Sequence, residues 1–267
     1  MPKLLLALLL AAAPCIIAQT NLQSAQTNAP VSLDNDVRVD IGKVLTRMLT
    51  DNSSNSVAIT NAVDSGTPLT NGLTGALRLM SGDTNALLKY VAPQALASLT
   101  DPAKLATLKG ERAANPRMQR CVYWLATAEA EGEKPEAVLD EAAKLNGTAG
   151  TPYAGFIRWG MLENLRLAKE YGILTPEGMA ELRRGKSATI TKGEYAGQEA
   201  EAALVIPGAV CPELQNQVMN LELHPASLNQ AKSDKVTERA KVFAKELYDA
   251  KLLSEEGWER VSAISSK

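Results

Sequence analysis

The chain has 267 residues, 28 Lys+Arg against 30 Asp+Glu, one His and three Cys. That length allows one large domain or two small ones with a sizeable core, and a net charge of −2 argues against coating nucleic acid by bulk electrostatics. A single His excludes any metal site or triad that needs two, and three Cys exclude a disulfide-dense scaffold and a zinc site of four cysteines.

Residues 1–18, MPKLLLALLLAAAPCIIA, place one basic residue, Lys3, before an apolar run of Leu and Ala. Ile16 and Ala18 suit the −3 and −1 positions of a cleavage site, so the segment reads as a signal peptide of an exported, periplasmic or extracellular protein. An uncleaved anchor and a lipoprotein site at Cys15 are the alternatives; Pro14 is unusual for the second. Cleavage leaves Cys121 and Cys211, which could pair in an oxidising compartment or serve as two buried small hydrophobes. No transmembrane segment is expected in the mature chain.

Residues 19–35 are rich in Gln, Asn, Ser and Thr and read as a flexible leader. A helical region is expected over 36–182. Ile41, Val44, Leu45, Met48 and Leu49 recur at helical spacing, and a polar loop interrupts at 51–72. From about Gly75 successive helices follow, with starts marked by Asp101-Pro102, Thr151-Pro152 and Thr175-Pro176. In each, a side-chain oxygen can accept from the free N–H groups of the first turn, and Pro tolerates that turn because its missing N–H had no partner. Met118, Val122 and Leu125 form one apolar stripe. The segment 156–168 is apolar nearly all round and reads as a central helix. Gly172 sits where a helix would end in a left-handed cap. Asn52-Ser-Ser and Asn146-Gly-Thr match the glycosylation sequon, and both read as chance behind a leader of bacterial appearance.

The pattern changes after Leu182. Ser187–Thr191 and Glu201–Ile206 are short and strand-like, with a turn over 192–197. Helical spacing returns after Pro225 with Val236, Ala240, Phe243 and Leu247, and a last helix starts at Ser254. A weak internal echo links residues 168–182 with 246–261. Gly185-Lys186-Ser187 looks like the end of a phosphate-binding loop, but Ala180 stands where the upstream Gly belongs.

Several pieces over 183–235 occur in a set order. They are a basic Gly185-Lys186 entry, a strand ending in Ile206-Pro207, a loop with Cys211-Pro212, then Asn220-Leu221-Glu222-Leu223 and a helix opening with Leu228-Asn229-Gln230-Ala231-Lys232. This stretch, about a fifth of the chain, resembles the HNH, or ββα-metal, endonuclease family. The resemblance implies a small ββα unit near the C-terminus. With the helical spacing on either side the expectation is a mainly α protein, and because no linker intervenes residues 236–267 are expected to pack as helices on the same core. In that family Asp-His precedes the apolar-Pro segment. The His takes a proton from water, and the Asp and a helix residue hold a divalent metal that polarises the scissile phosphate. The middle Asn holds the loop.

In this chain Ala203-Leu204 stand in place of Asp-His. Ala has no oxygen for a metal and Leu no lone pair for a proton. Asn220, Asn229 and Lys232 remain as motif remnants, with Asn229 the one metal ligand the motif would keep. The resemblance therefore implies a catalytically degenerate scaffold kept for binding or structure, with no cofactor expected, and residues 1–18 add the expectation that it is exported. The alternative is an active endonuclease using Mg²⁺ or another divalent metal, with Glu201 and His224 as displaced ligands. Arg183, Arg184, Lys186 and Lys235 are the candidate nucleic-acid contacts, although acidic residues, Glu222 among them, are interspersed as a solvated surface would be.

Overall fold

The computed structural model describes residues 84–264. The expected signal peptide, the leader, the helical pattern at 41–49 and the polar loop at 51–72 lie outside the described residues. The architecture is mainly helical with one small antiparallel sheet.

Six helices come first: α1 (Thr84–Leu99), α2 (Pro102–Leu105), α3 (Asn115–Ala130), α4 (Pro135–Leu145), α5 (Pro152–Glu170) and α6 (Pro176–Arg183). The sequence marks the starts of three of them, α2, α5 and α6. Asp101 accepts from the Ala103 N–H, Thr151 from Ala154 and Thr175 from Gly178, so each cap satisfies a donor that the first turn leaves free. The stripe Met118, Val122 and Leu125 is fully buried on α3. Helix α5 is central, packed on α3 and α4, but it is not buried all round. Trp159 is 50% exposed and Phe156 is half-buried, and both rings touch Phe243 at 5.8 and 5.9 Å.

Three strands follow: β1 (Ala188–Thr189), β2 (Glu199–Leu204) and β3 (Leu221–Pro225), in the order β1-β2-β3. Both pairings are antiparallel, and the β2–β3 register sets Glu201 opposite His224, Ala202 opposite Leu223, Ala203 opposite Glu222 and Leu204 opposite Leu221. Strand β3 is an addition to the sequence reading, which left 220–223 unassigned. β2 also starts and ends two residues earlier than expected. The chain continues as α7 (Ala226–Lys232), α8 (Glu238–Asp249) and α9 (Glu255–Ala263).

Because successive strand side chains alternate, Ala200, Ala202, Leu221 and Leu223 share one face and Glu201, Ala203, Glu222 and His224 the other. The first set is buried in the core with α3 and α5. Helix amides bond several backbone groups of β2 and β3. Asn164 of α5 donates to the Leu221 carbonyl at 2.9 Å and accepts from the Leu223 N–H at 2.8 Å. Past the end of β1, Asn115 of α3 donates to the Ala202 carbonyl of β2, and Gln119 donates to that of Ala200, the residue paired with Ala188. These particular strand groups, which could otherwise recruit another chain, are used internally.

The echo in the sequence is a repeated turn. After α5, Gly172 (φ 64°) closes the helix with Gly172 N–H to Lys169 and Ile173 N–H to Ala168. After α8, Lys251 (φ 62°) does the same with Lys251 N–H to Tyr248 and Leu252 N–H to Leu247. Thr175 and Ser254 then cap the next helices through Gly178 and Gly257.

Candidate functional site

The 16-residue segment Val205–Asn220 joins β2 to β3, and one buried side chain organises it. The Asn220 Oδ1 accepts from the Ile206 N–H at 2.9 Å, and its Nδ2 donates to the carbonyls of Ile206 and Leu214 at 2.9 and 3.1 Å. The Val205 N–H donates to the Asn220 carbonyl at 2.8 Å. Asn220 thus ties the end of the segment to its start at Ile206 and to its middle at Leu214. Cys211 and Cys121 are free and fully buried. Burial pushes the Cys211 thiol up to about 11 and the Cys121 thiol to about 12, so neither is a thiolate nucleophile at neutral pH.

The remaining candidates gather on the other face of the sheet. Asn229 of α7 donates to Glu201 Oε2 at 2.7 Å. Lys232, at the end of α7, donates to the carbonyl of Val205 at 3.0 Å and also to that of Leu204. His224, cross-strand from Glu201, lies 3.1 Å from Glu222 through Nε2. Arg239, in the first turn of α8, binds Glu222 with two parallel bonds of 2.6 and 2.7 Å. Ala203 is buried directly across the ladder from Glu222.

Glu222 corrects the sequence reading. It is not part of a solvated surface but is 6% exposed. Burial alone would raise its pKa; the hydrogen bonds from His224 and Arg239 and their charges overcome that and hold it at about 2. Its bond to Arg239 raises the guanidinium in turn. Lys232 is shifted downward because burial disfavours its charge.

Glu201, His224 and Asn229 therefore do share one face, yet their polar atoms are aimed at each other and at Glu222. Among the described residues no group of three His, Cys, Asp or Glu side chains is placed to hold a metal ion. The chemistry visible here is a set of paired charges: guanidinium with carboxylate, amide with carboxylate, ammonium with two carbonyls.

The basic candidates fall in two stretches of the chain, 183–186 at the end of α6 and Lys235 after α7. Arg183 and Arg184 end α6, which packs on α3 and β1, and Arg184 bonds Glu181 at 2.8 Å. Lys186 is exposed beyond Gly185, whose backbone lies against Pro116. Lys235 follows α7, which packs on β2 and β3, and reaches the Ala231 carbonyl at 3.4 Å. No helix among the described residues is long and apolar enough to cross a membrane. The Asn146 side chain of the sequon-like triplet is engaged at both ends, with Ala97 and Thr100 and with Thr148.

No family model matches the chain, and neither a curated protein nor a solved structure matches it.

Proposed function

We propose that this is an exported HNH-like scaffold that has lost its chemistry and is kept as a binding or structural module. One observation carries the reading: Arg239 is clamped on Glu222 directly across the ladder from Ala203. Ala203 stands where the resemblance expects the metal-holding Asp. The nearest carboxylate on the same face is neutralised by a guanidinium of the chain itself. A β2–β3–α7 order with Asn220 holding the intervening segment supports the scaffold half of the reading. Ala203 and Leu204, which offer neither a ligand nor a base, support the loss of chemistry.

The second reading is an active, divalent-metal-dependent endonuclease with displaced ligands. It draws on the shared face of Glu201, His224 and Asn229, and on the carboxylate–imidazole contact of Glu222 and His224. For a cation to bind there, Asn229 and Glu201 must release one another. Nucleic acid remains a candidate partner through Arg183, Arg184, Lys186 and Lys235.

Plasmid nicking by the chain from Gln19, with Mg²⁺, with Mn²⁺ and with EDTA, separates the two readings. The scaffold reading expects intact supercoiled plasmid in every arm. Nicking that EDTA and Asn229→Ala both abolish establishes the enzyme.

A further inference from the structure

We infer that α7 is a hinged flap, held shut by polar latches over the sheet face that carries Glu201, Glu222 and His224. The inference does not depend on the nuclease resemblance. Every other helix among the described residues buries at least one side chain; α7 buries none. Leu228, its one large apolar residue, is 40% exposed. What holds the helix is polar and sits at its two ends and its middle. The Ser227 N–H donates to Gln198 Oε1 at 3.1 Å, Asn229 bonds Glu201, and Lys232 bonds the Leu204 and Val205 carbonyls.

The flanks suit a hinge. Pro225 ends β3 and opens α7 without a side-chain cap. Ser233 ends α7 at φ 47°, ψ −135°, a conformation that a residue with a Cβ rarely adopts. Strain at that position favours any state in which Ser233 relaxes, and a helix with no fully buried side chain has less to oppose it than the core helices do. Segments with those properties open at lower free energy than the core. Opening separates Asn229 from Glu201 and uncovers the face of His224, the only His in the chain.

Amide hydrogen exchange on the full chain tests this, read at Gln230–Ser233 against the β2–β3 ladder amides. The flap predicts exchange at Gln230–Ser233 at least about tenfold faster than in the ladder. Lys232→Met, which keeps the aliphatic stem and removes the ammonium, should speed α7 exchange a further several-fold with a smaller effect on the ladder. Carbethoxylation of His224 should rise in parallel. Ser233→Gly, which removes the Cβ from the strained position and leaves every latch in place, should slow opening. Equal exchange rates in α7 and the ladder overturn the flap. So does a Lys232→Met effect that is absent, or that is the same in both elements. Ser233→Gly exchange that is unchanged or faster overturns the hinge.

Discussion

Arg239 grips Glu222 with both arms of its guanidinium, tying the first turn of α8 to the middle of β3 across 17 residues of sequence. The side chains are unequally exposed, 53% for Arg239 and 8% for Glu222. Removing the Arg therefore leaves a buried carboxylate whose remaining side-chain hydrogen bond is the one with His224. Arg239→Ala should cost about 2–3 kcal/mol, less than a fully buried pair because the guanidinium is half in water. Replacing both partners, Glu222→Leu with Arg239→Met, should restore most of that loss. Urea denaturation of the two single variants and the double variant measures the coupling; additive losses would mean that the pair contributes nothing of its own.

The same pair sets an acid limit. Glu222 titrates at about 2 in the folded chain, below the ordinary 4.5, so the folded state binds its proton more weakly than the unfolded state does. The resulting stabilisation is complete above about pH 4.5 and is lost as pH falls from there toward 2. Its full size is on the order of 3 kcal/mol. Glu222→Gln should flatten the pH dependence of stability in that window. Unfolding free energies at pH 6, 4 and 3 check this, and an unchanged slope in the variant would assign the acid sensitivity to other carboxylates.

Asn220 is fully buried and makes three side-chain hydrogen bonds. Asn220→Ala leaves the Ile206 N–H and the Ile206 and Leu214 carbonyls without those bonds, at about 1–3 kcal/mol for each buried group that finds no water. Asn220→Asp should be worse than Ala. It keeps the acceptor for Ile206 but turns a carboxylate oxygen toward two carbonyls, like against like. Thermal denaturation of the two variants orders them, and an Asp variant more stable than Ala would contradict the bond assignment.

The repeated turn makes a paired prediction. Lys251 and Gly172 hold the same left-handed conformation, which costs a residue with a Cβ about 1 kcal/mol. Lys251→Gly should stabilise by roughly 0.5–1 kcal/mol, since its cation–π contact with Tyr248 at 5.4 Å lies at an exposed site and offsets only part of the gain. Gly172→Ala should destabilise by more, because a Cβ there would stand 2.5 Å from the Thr191 Oγ1 that bonds the Gly172 carbonyl. Calorimetry of the two variants should give melting temperatures that move in opposite directions.

Local chemistry was the legible part of the sequence. A cap such as Thr175 needs only the free N–H three residues on, and the α3 stripe needs only helical spacing. The bonds of Asn220 were not legible from spacing, because its partners Ile206 and Leu214 lie 14 and 6 residues away. Nor was the burial of Glu222, because it is set by Arg239, and nothing in Leu221-Glu222-Leu223 distinguishes a clamped carboxylate from a solvated one. Asn164 reads as a polar interruption in an apolar helix; its meaning comes from β3, 57 residues on. The exposed flank of α5 was missed because Phe156 and Trp159 look like core in a chain this poor in aromatics. Their partner is Phe243, on a helix the periodicity could not orient.

The central claim is a retained scaffold without its reacting groups, and restoration tests it most directly. Plasmid nicking with Mg²⁺ should be absent for the chain from Gln19 and present, and removed by EDTA, for the Ala203→Asp/Leu204→His double variant. Nicking by the unaltered chain contradicts the claim, as does an inert double variant that still melts like the parent.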